Sequence, residues 1–95
     1  MVEIRWTNRA IDDMLNIADY IGRDSKKYAK LQVDRFFQKV TILETHPQAG
    51  KIVPEINRKN LRELLVSDYR IIYKVISKTQ IDIITIHHGA RLFFG

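Results

Sequence analysis

From Leu61 onward three apolar runs, LRELLVS, YRIIYKVI and IDIITIH, follow one another with breaks only at Ser67-Asp68 and at Ser77 to Gln80. Runs rich in Ile, Val, Leu and Tyr favour strands, and breaks this short favour hairpins. The C-terminal part of the chain is therefore expected to be a three-stranded antiparallel meander. Strand alternation then sorts YRIIYKVI into two faces, with Tyr69, Ile71, Tyr73 and Val75 on one and Arg70, Ile72, Lys74 and Ile76 on the other. One face is apolar and the other is partly basic.

The residues before the meander have different periods. VEIRW alternates Val2, Ile4 and Trp6 against Glu3 and Arg5, as a half-buried strand does. Thr7 is suited to cap a helix whose apolar positions are Ala10, Met14, Ile17, Ala18 and Ile21, with Asp12 and Asp13 expected in its first turn and Gly22 at its end. Asp24 or Ser25 can cap a longer helix with a stripe of Ala29, Val33, Phe36, Val40 and Leu43, widened by Phe37 and stopped by Pro47. So short a link between the helices favours an antiparallel hairpin. PQAGKIVPEINRKN has both prolines and no sustained period, and it is expected to be a loop from helices to sheet. The fold class is thus α+β: an N-terminal strand, an antiparallel helical hairpin and a three-stranded antiparallel meander, with the helices on one sheet face. Ninety-five residues are expected to make a single domain, 1–95.

Composition limits the chemistry. There is no cysteine, which excludes disulfides, thiolate metal sites and a cysteine nucleophile. No run approaches the ~18 apolar residues of a membrane span, so a soluble, cytoplasmic protein is expected. The net charge is +5. Residues 1–46 carry 8 basic against 7 acidic side chains, and residues 47–95 carry 8 against 4, so the excess sits in the C-terminal half. Such an excess suits an anionic partner, whether nucleic acid, a phosphate-rich surface or an acidic protein.

The stretch ITIHHGAR draws the eye for chemistry. His87 and His88 are consecutive, so on a regular strand they point to opposite faces and at most one joins the open face. A histidine near neutrality exchanges protons, and an arginine beside it can hold a phosphate in its fork of donors. His46, His87 and His88 lack metal-ligand spacing, so no metal and no cofactor is expected. Ser25, Ser67 and Ser77 lie at breaks or caps rather than at a nucleophile elbow, and Gly50 and Gly89 are too isolated for a phosphate-cradling loop. Arg62, Arg70, Lys74 and Arg91 make the stronger constellation, on or beside the sheet, with Tyr69 and Tyr73 interleaved. Of these, Lys74 reads as a solubilising edge residue and Arg70 as a functional one.

In order, WTNRAIDDMLNIADYI, HPQAGKIVPE, LRELLVSDYRIIYKV and ITIHHGAR resemble the RelE/ParE superfamily of type II toxin–antitoxin toxins over nearly the whole chain. Trp6, Ala10, Asp13, Ile17, Tyr20 and Ile21, with the Pro47/Gly50/Pro54 loop, are most similar to the ParE-like, plasmid-stabilisation branch. The resemblance implies a helical hairpin on a small antiparallel sheet. It also implies a growth inhibitor neutralised by a cognate antitoxin that wraps an extended segment and a helix around it.

Two mechanisms divide the superfamily. RelE-like members resemble metal-free, ribosome-dependent mRNA endonucleases, in which the 2′-hydroxyl attacks its own phosphate with the help of a base, an acid and cations. Arg70 matches the sheet arginine that holds the phosphate, and His87 or His88 with Arg91 would complete a catalytic set. LREL departs from the lysine-rich stretch expected there, and Phe93, Phe94 and Gly95 stand where a catalytic tyrosine is expected. ParE-like members poison DNA gyrase and have no catalytic set, which leaves Arg62, Arg70, Tyr73 and Arg91 as target- or anion-binding residues. The primary expectation is therefore a ParE-like toxin acting on DNA gyrase. The alternatives are the ribosome-dependent endonuclease and a non-toxic basic module that binds nucleic acid or protein.

Overall fold

The structure, a computed structural model, describes residues 1–94; Gly95, one of the tail residues weighed above, lies outside them. Strand β1 (Glu3–Trp6) leads into helices α1 (Asn8–Gly22) and α2 (Lys26–Thr41), and a 3-10 turn (Ile42–Glu44) follows. Strands β2 (Lys51–Ile52), β3 (Leu61–Val66), β4 (Tyr69–Val75) and β5 (Gln80–His88) complete the described chain. Among the described residues they form one sheet in the order β1-β5-β4-β3-β2. The expected α+β architecture is present.

Thr7 caps the first helix as expected, and of the two candidates for the second, Asp24 and Ser25, it is Ser25 that caps. The Thr7 and Ser25 hydroxyls accept from the amides of Ala10 and Tyr28, each at 3.2 Å. Two boundary details differ. Helix α1 begins at Asn8, so Asp12 and Asp13 lie beyond its first turn, and Asp13 is turned to the sheet instead of the helix dipole. Helix α2 ends at Thr41, ahead of Pro47, because the backbone tightens there into the 3-10 turn.

The meander is antiparallel as expected, with Leu65 opposite Arg70 and Tyr69 opposite His88. Ser67 makes the tight β3–β4 turn with φ of 52°, in the left-handed region. The two-residue strand β2 lies inside the segment expected to be loop; a pairing of two residues is too short to show a period. Strand β1 runs parallel to β5, from Glu3 opposite Gln80 to Trp6 opposite Ile83, and stops there. Just beyond, Ile72 pairs with Thr85 and Tyr73 with Ile83, so Ile84 is an extra residue that bulges β5. Thr7 ties α1 to that bulge, its hydroxyl donating to the Ile83 carbonyl at 2.7 Å.

The core lies between helices and sheet, where Ala10, Met14, Phe36, Val40 and Leu43 meet Leu64, Ile71, Tyr73, Ile81, Ile83 and Ile86. Phe37 does not widen this core; it is 45% exposed and rests on Trp6 at the margin. On the opposite sheet face Val53, Ile72 and Phe93 form a second small cluster with Ile56, Leu61 and Ile84. The loop after β2 and the segment after β5 therefore cover much of the face that the helices leave open.

Candidate functional site

Strand alternation settles the histidine pair. His87 stands opposite Arg70 on the face away from the helices, with its ring 5.9 Å from that of Phe93. His88 stands opposite Tyr69, is exposed, and meets the tyrosine ring edge-on at 5.9 Å. Its Nδ1 accepts from the Ala90 amide at 3.2 Å, which curls the chain after β5. Of the two, His87 is the one that pairs opposite Arg70.

Arg70 is itself only 5% exposed. Its Nη1 donates to Glu55 Oε2 and to the Arg91 carbonyl, the latter at 2.9 Å, and its Nη2 donates to Glu55 Oε1 at 2.9 Å and Glu63 Oε1 at 2.6 Å. This is a guanidinium neutralised on two sides by carboxylates, in the bidentate geometry that arginine favours. The Glu55 carboxyl is held down at about 2, first by Arg70 and then by the Phe93 amide, which donates to it at 2.8 Å. Arg70 and Glu55 together bind the loop after β2, the segment after β5 and the sheet into one unit.

The other cations and tyrosines have separate tasks. Tyr73 is fully buried; its hydroxyl accepts from the Gly50 amide at 2.9 Å and donates to the Pro47 carbonyl at 3.0 Å. Burial pushes its phenol pKa up. Gly50 is required there, since a Cβ would fall 2.5 Å from the Glu63 carbonyl oxygen and 2.8 Å from the Tyr73 hydroxyl. Tyr73 thus has no surface of its own and supports this loop from within. Arg62 is half-buried and donates to the carbonyls of Lys59, at 3.0 Å, and Gly50, at 2.9 Å, closing the same loop. Lys74 is exposed. The Arg91 side chain is exposed too, and only its carbonyl is engaged by Arg70.

His87 is half-buried, and its imidazole is shifted toward the neutral form, chiefly by burial and then by the cations of Arg70, Arg91 and Arg9. A cleft of about 740 Å³ runs between the β3–β4 turn and the segment after β5, past Lys51, Glu55, Tyr69, Arg70, His88 and Arg91. Among the described residues no three His, Asp or Glu side chains converge as a metal site requires.

The partners of Arg70 were not foreseen. Glu63 was detectable, because it is two residues from Leu65, which pairs with Arg70, and so shares its face. Glu55 comes from a loop, where no period announces its direction.

Residues 4–93 match the family described as ParE toxin of type II toxin-antitoxin system, parDE. The chain belongs to the ParE toxin family. Toxin RelE2 of Caulobacter vibrioides is 32% identical over 92 residues, covering 97% of this chain and all of the relative. A solved structure described as the chromosomal ParDE TA system from P. aeruginosa has a TM-score of 0.74 at 21% identity, covering 93% of this chain and 96% of the other. That likeness is one of fold. The protein is thus a toxin of a type II toxin–antitoxin system, and its family implies an antitoxin partner. No helix among the described residues of the toxin is long and apolar enough to cross a membrane.

Proposed function

We propose that this toxin inhibits growth by binding a protein target, DNA gyrase, and that its cognate antitoxin neutralises it by covering the binding surface. The observation that supports this over mRNA cleavage is the state of Arg70. A phosphate clamp needs a guanidinium with free donors facing the substrate, whereas Arg70 is buried, both its terminal nitrogens serve Glu55 and Glu63, and its unpartnered Nε is buried as well. Releasing it would strand the buried Glu63 carboxylate and strip the half-buried Glu55 of its bidentate partner, at a cost of several kcal/mol. The endonuclease reading also needs a base and an acid side by side, and the two histidines stand on opposite faces of β5.

The test adds the purified toxin to two reactions: gyrase supercoiling of plasmid DNA, and cell-free translation read by primer extension. Loss of supercoiling with intact mRNA is the expected result. New mRNA ends at ribosomal codons, with supercoiling unaffected, would overturn the proposal. A protein inactive in both that leaves growth unchanged on expression would return the reading to a non-toxic basic module.

A further inference from the structure

Strand β1 ends at Trp6, opposite Ile83, and leaves the last residues of β5 without a strand neighbour on that side. Helix α1 covers this edge. The Asp13 carboxylate accepts from the Thr85 hydroxyl and, at 3.2 Å, from the Ile86 amide, so it answers the edge of β5. Beside that anchor lies a cleft of about 380 Å³, lined by Arg9, Asp13, Asn16, His87 and Arg91 among others. Arg70 does not line it.

Arg9 is one turn before Asp13, the spacing at which an ion pair forms on a helix. Among the described residues, however, neither Arg9 nor Arg91 has an ion-pair partner. The Asp13 carboxylate is turned to β5, which leaves both guanidinium forks with unspent donors. His87 adds a third group: its Nε2 is buried and has no hydrogen-bond partner among the described residues. Burial first, then the cations of Arg70, Arg91 and Arg9, press that imidazole toward its neutral form, with Asp13 opposing them more weakly. Two arginine forks and the Asn16 side-chain amide offer more donors than the two oxygens of one carboxylate use, and the His87 ring nitrogen joins them when it carries the proton. They suit the three or four oxygens of a tetrahedral oxyanion.

We propose that the cleft between α1 and the end of β5 is a phosphate-binding site, in which Arg9 and Arg91 grip a phosphate ester from two sides and Asn16 and His87 complete its shell. The cleft is roomier than a bare phosphate needs, which favours an ester, such as a nucleotide or a polynucleotide backbone, over the free ion. The site uses no group committed to the Arg70 ion pairs and does not depend on gyrase being the target.

The test titrates the full chain with inorganic phosphate, a mononucleotide and a short single-stranded oligonucleotide, followed residue by residue by NMR. Saturable shifts at Arg9, Asn16, His87 and Arg91 are expected. The imidazole pKa of His87 should rise on binding, because the anion offsets Arg9, Arg70 and Arg91 and acts in the same sense as Asp13. His88, also at the cleft but on the opposite strand face, should move less. Arg9→Ala and Arg91→Ala should each weaken binding about tenfold, the loss expected when a charge-assisted hydrogen bond is removed. Arg58→Ala, on the exposed loop before β3, should not. Tighter binding of the oligonucleotide than of the mononucleotide assigns the ligand to a polynucleotide backbone, and equal binding assigns it to a single phosphate ester. Absence of saturation with all three ligands overturns the site. So does an Arg58→Ala loss as large as that of Arg9→Ala, which would mean diffuse electrostatic attraction. Neither result touches the gyrase assay.

Discussion

Replacing Arg70 by alanine should unfold this protein before it changes any contact with a target. Arg70 is 5% exposed and Glu63 4% exposed, and their ion pair is closed at 2.6 Å. Removing the cation leaves Glu63 buried with only the exposed Lys51 ammonium, 4.0 Å away, to compensate it, and strips Glu55 of its bidentate partner. Breaking a buried pair from one side costs about 3–5 kcal/mol, against a total stability of about 5–14 kcal/mol for a domain this size. The Tm should fall by more than about 10 °C, and the urea midpoint should fall with the m-value unchanged. Urea melts followed by far-UV circular dichroism measure both. Lys74→Ala, on an exposed position of the same strand, should stay within about 0.5 kcal/mol. In growth assays Arg70→Ala should therefore lose more toxicity than Lys74→Ala, in step with its lost stability. Arg70→Met combined with Glu55→Gln and Glu63→Leu should regain most of that stability, because no buried charge is left unpaired. An Arg70→Ala protein that keeps its stability to within about 1 kcal/mol and still loses all toxicity would refute this reasoning, and would restore Arg70 as a direct contact.

Three further outcomes follow from the same geometry. Tyr73→Phe should cost about 1–3 kcal/mol in chemical denaturation, since it orphans the buried Gly50 amide, and should speed backbone exchange in the 47–50 loop. Glu55 is depressed in the folded state to about 2, so its contribution is complete above the unfolded carboxylate value of about 4.3 and lost as pH falls toward 2. Stability measured across that window should drop in the native protein and drop less in Glu55→Gln. His87 is shifted toward its neutral form, so the unfolded chain binds the proton more readily, and stability should decline as pH falls below the unfolded value of about 6.5. His87→Gln should flatten that decline in thermal melts between about pH 7 and 5.

How much could be read in advance divides along the range of the interactions. The cap at Thr7, a second cap at Asp24 or Ser25, the two helical stripes and the alternation in β4 depend on neighbours a few residues apart, and spacing showed them directly; the structure chose Ser25. Helix ends were less legible: Pro47 gives the last place α2 could stop, while the 3-10 turn at Ile42–Glu44 stops it sooner. Phe37 satisfied the helical period and is nevertheless at the margin, because its partner is Trp6 at the end of the sheet's outermost strand, β1. Among candidate site residues, alternation showed that His87 and His88 must part, but not which would face Arg70. That depended on register with β4 and on the bulge at Ile84.

The sequence alone therefore determined the elements, their order, the apolar and basic faces of the meander and the superfamily, since each is written in local period or in motifs kept in order. Tertiary structure decided what the charges do. Arg70 looked like a free cation on an open strand face until a glutamate from the neighbouring strand and another from a loop met it across the sheet. Arg9 and Arg91, 82 positions apart, line one cleft only because β1 stops short and α1 covers the bare edge of β5. Period along a chain reports which side of an element is buried; it carries no information about which distant charge will be waiting there.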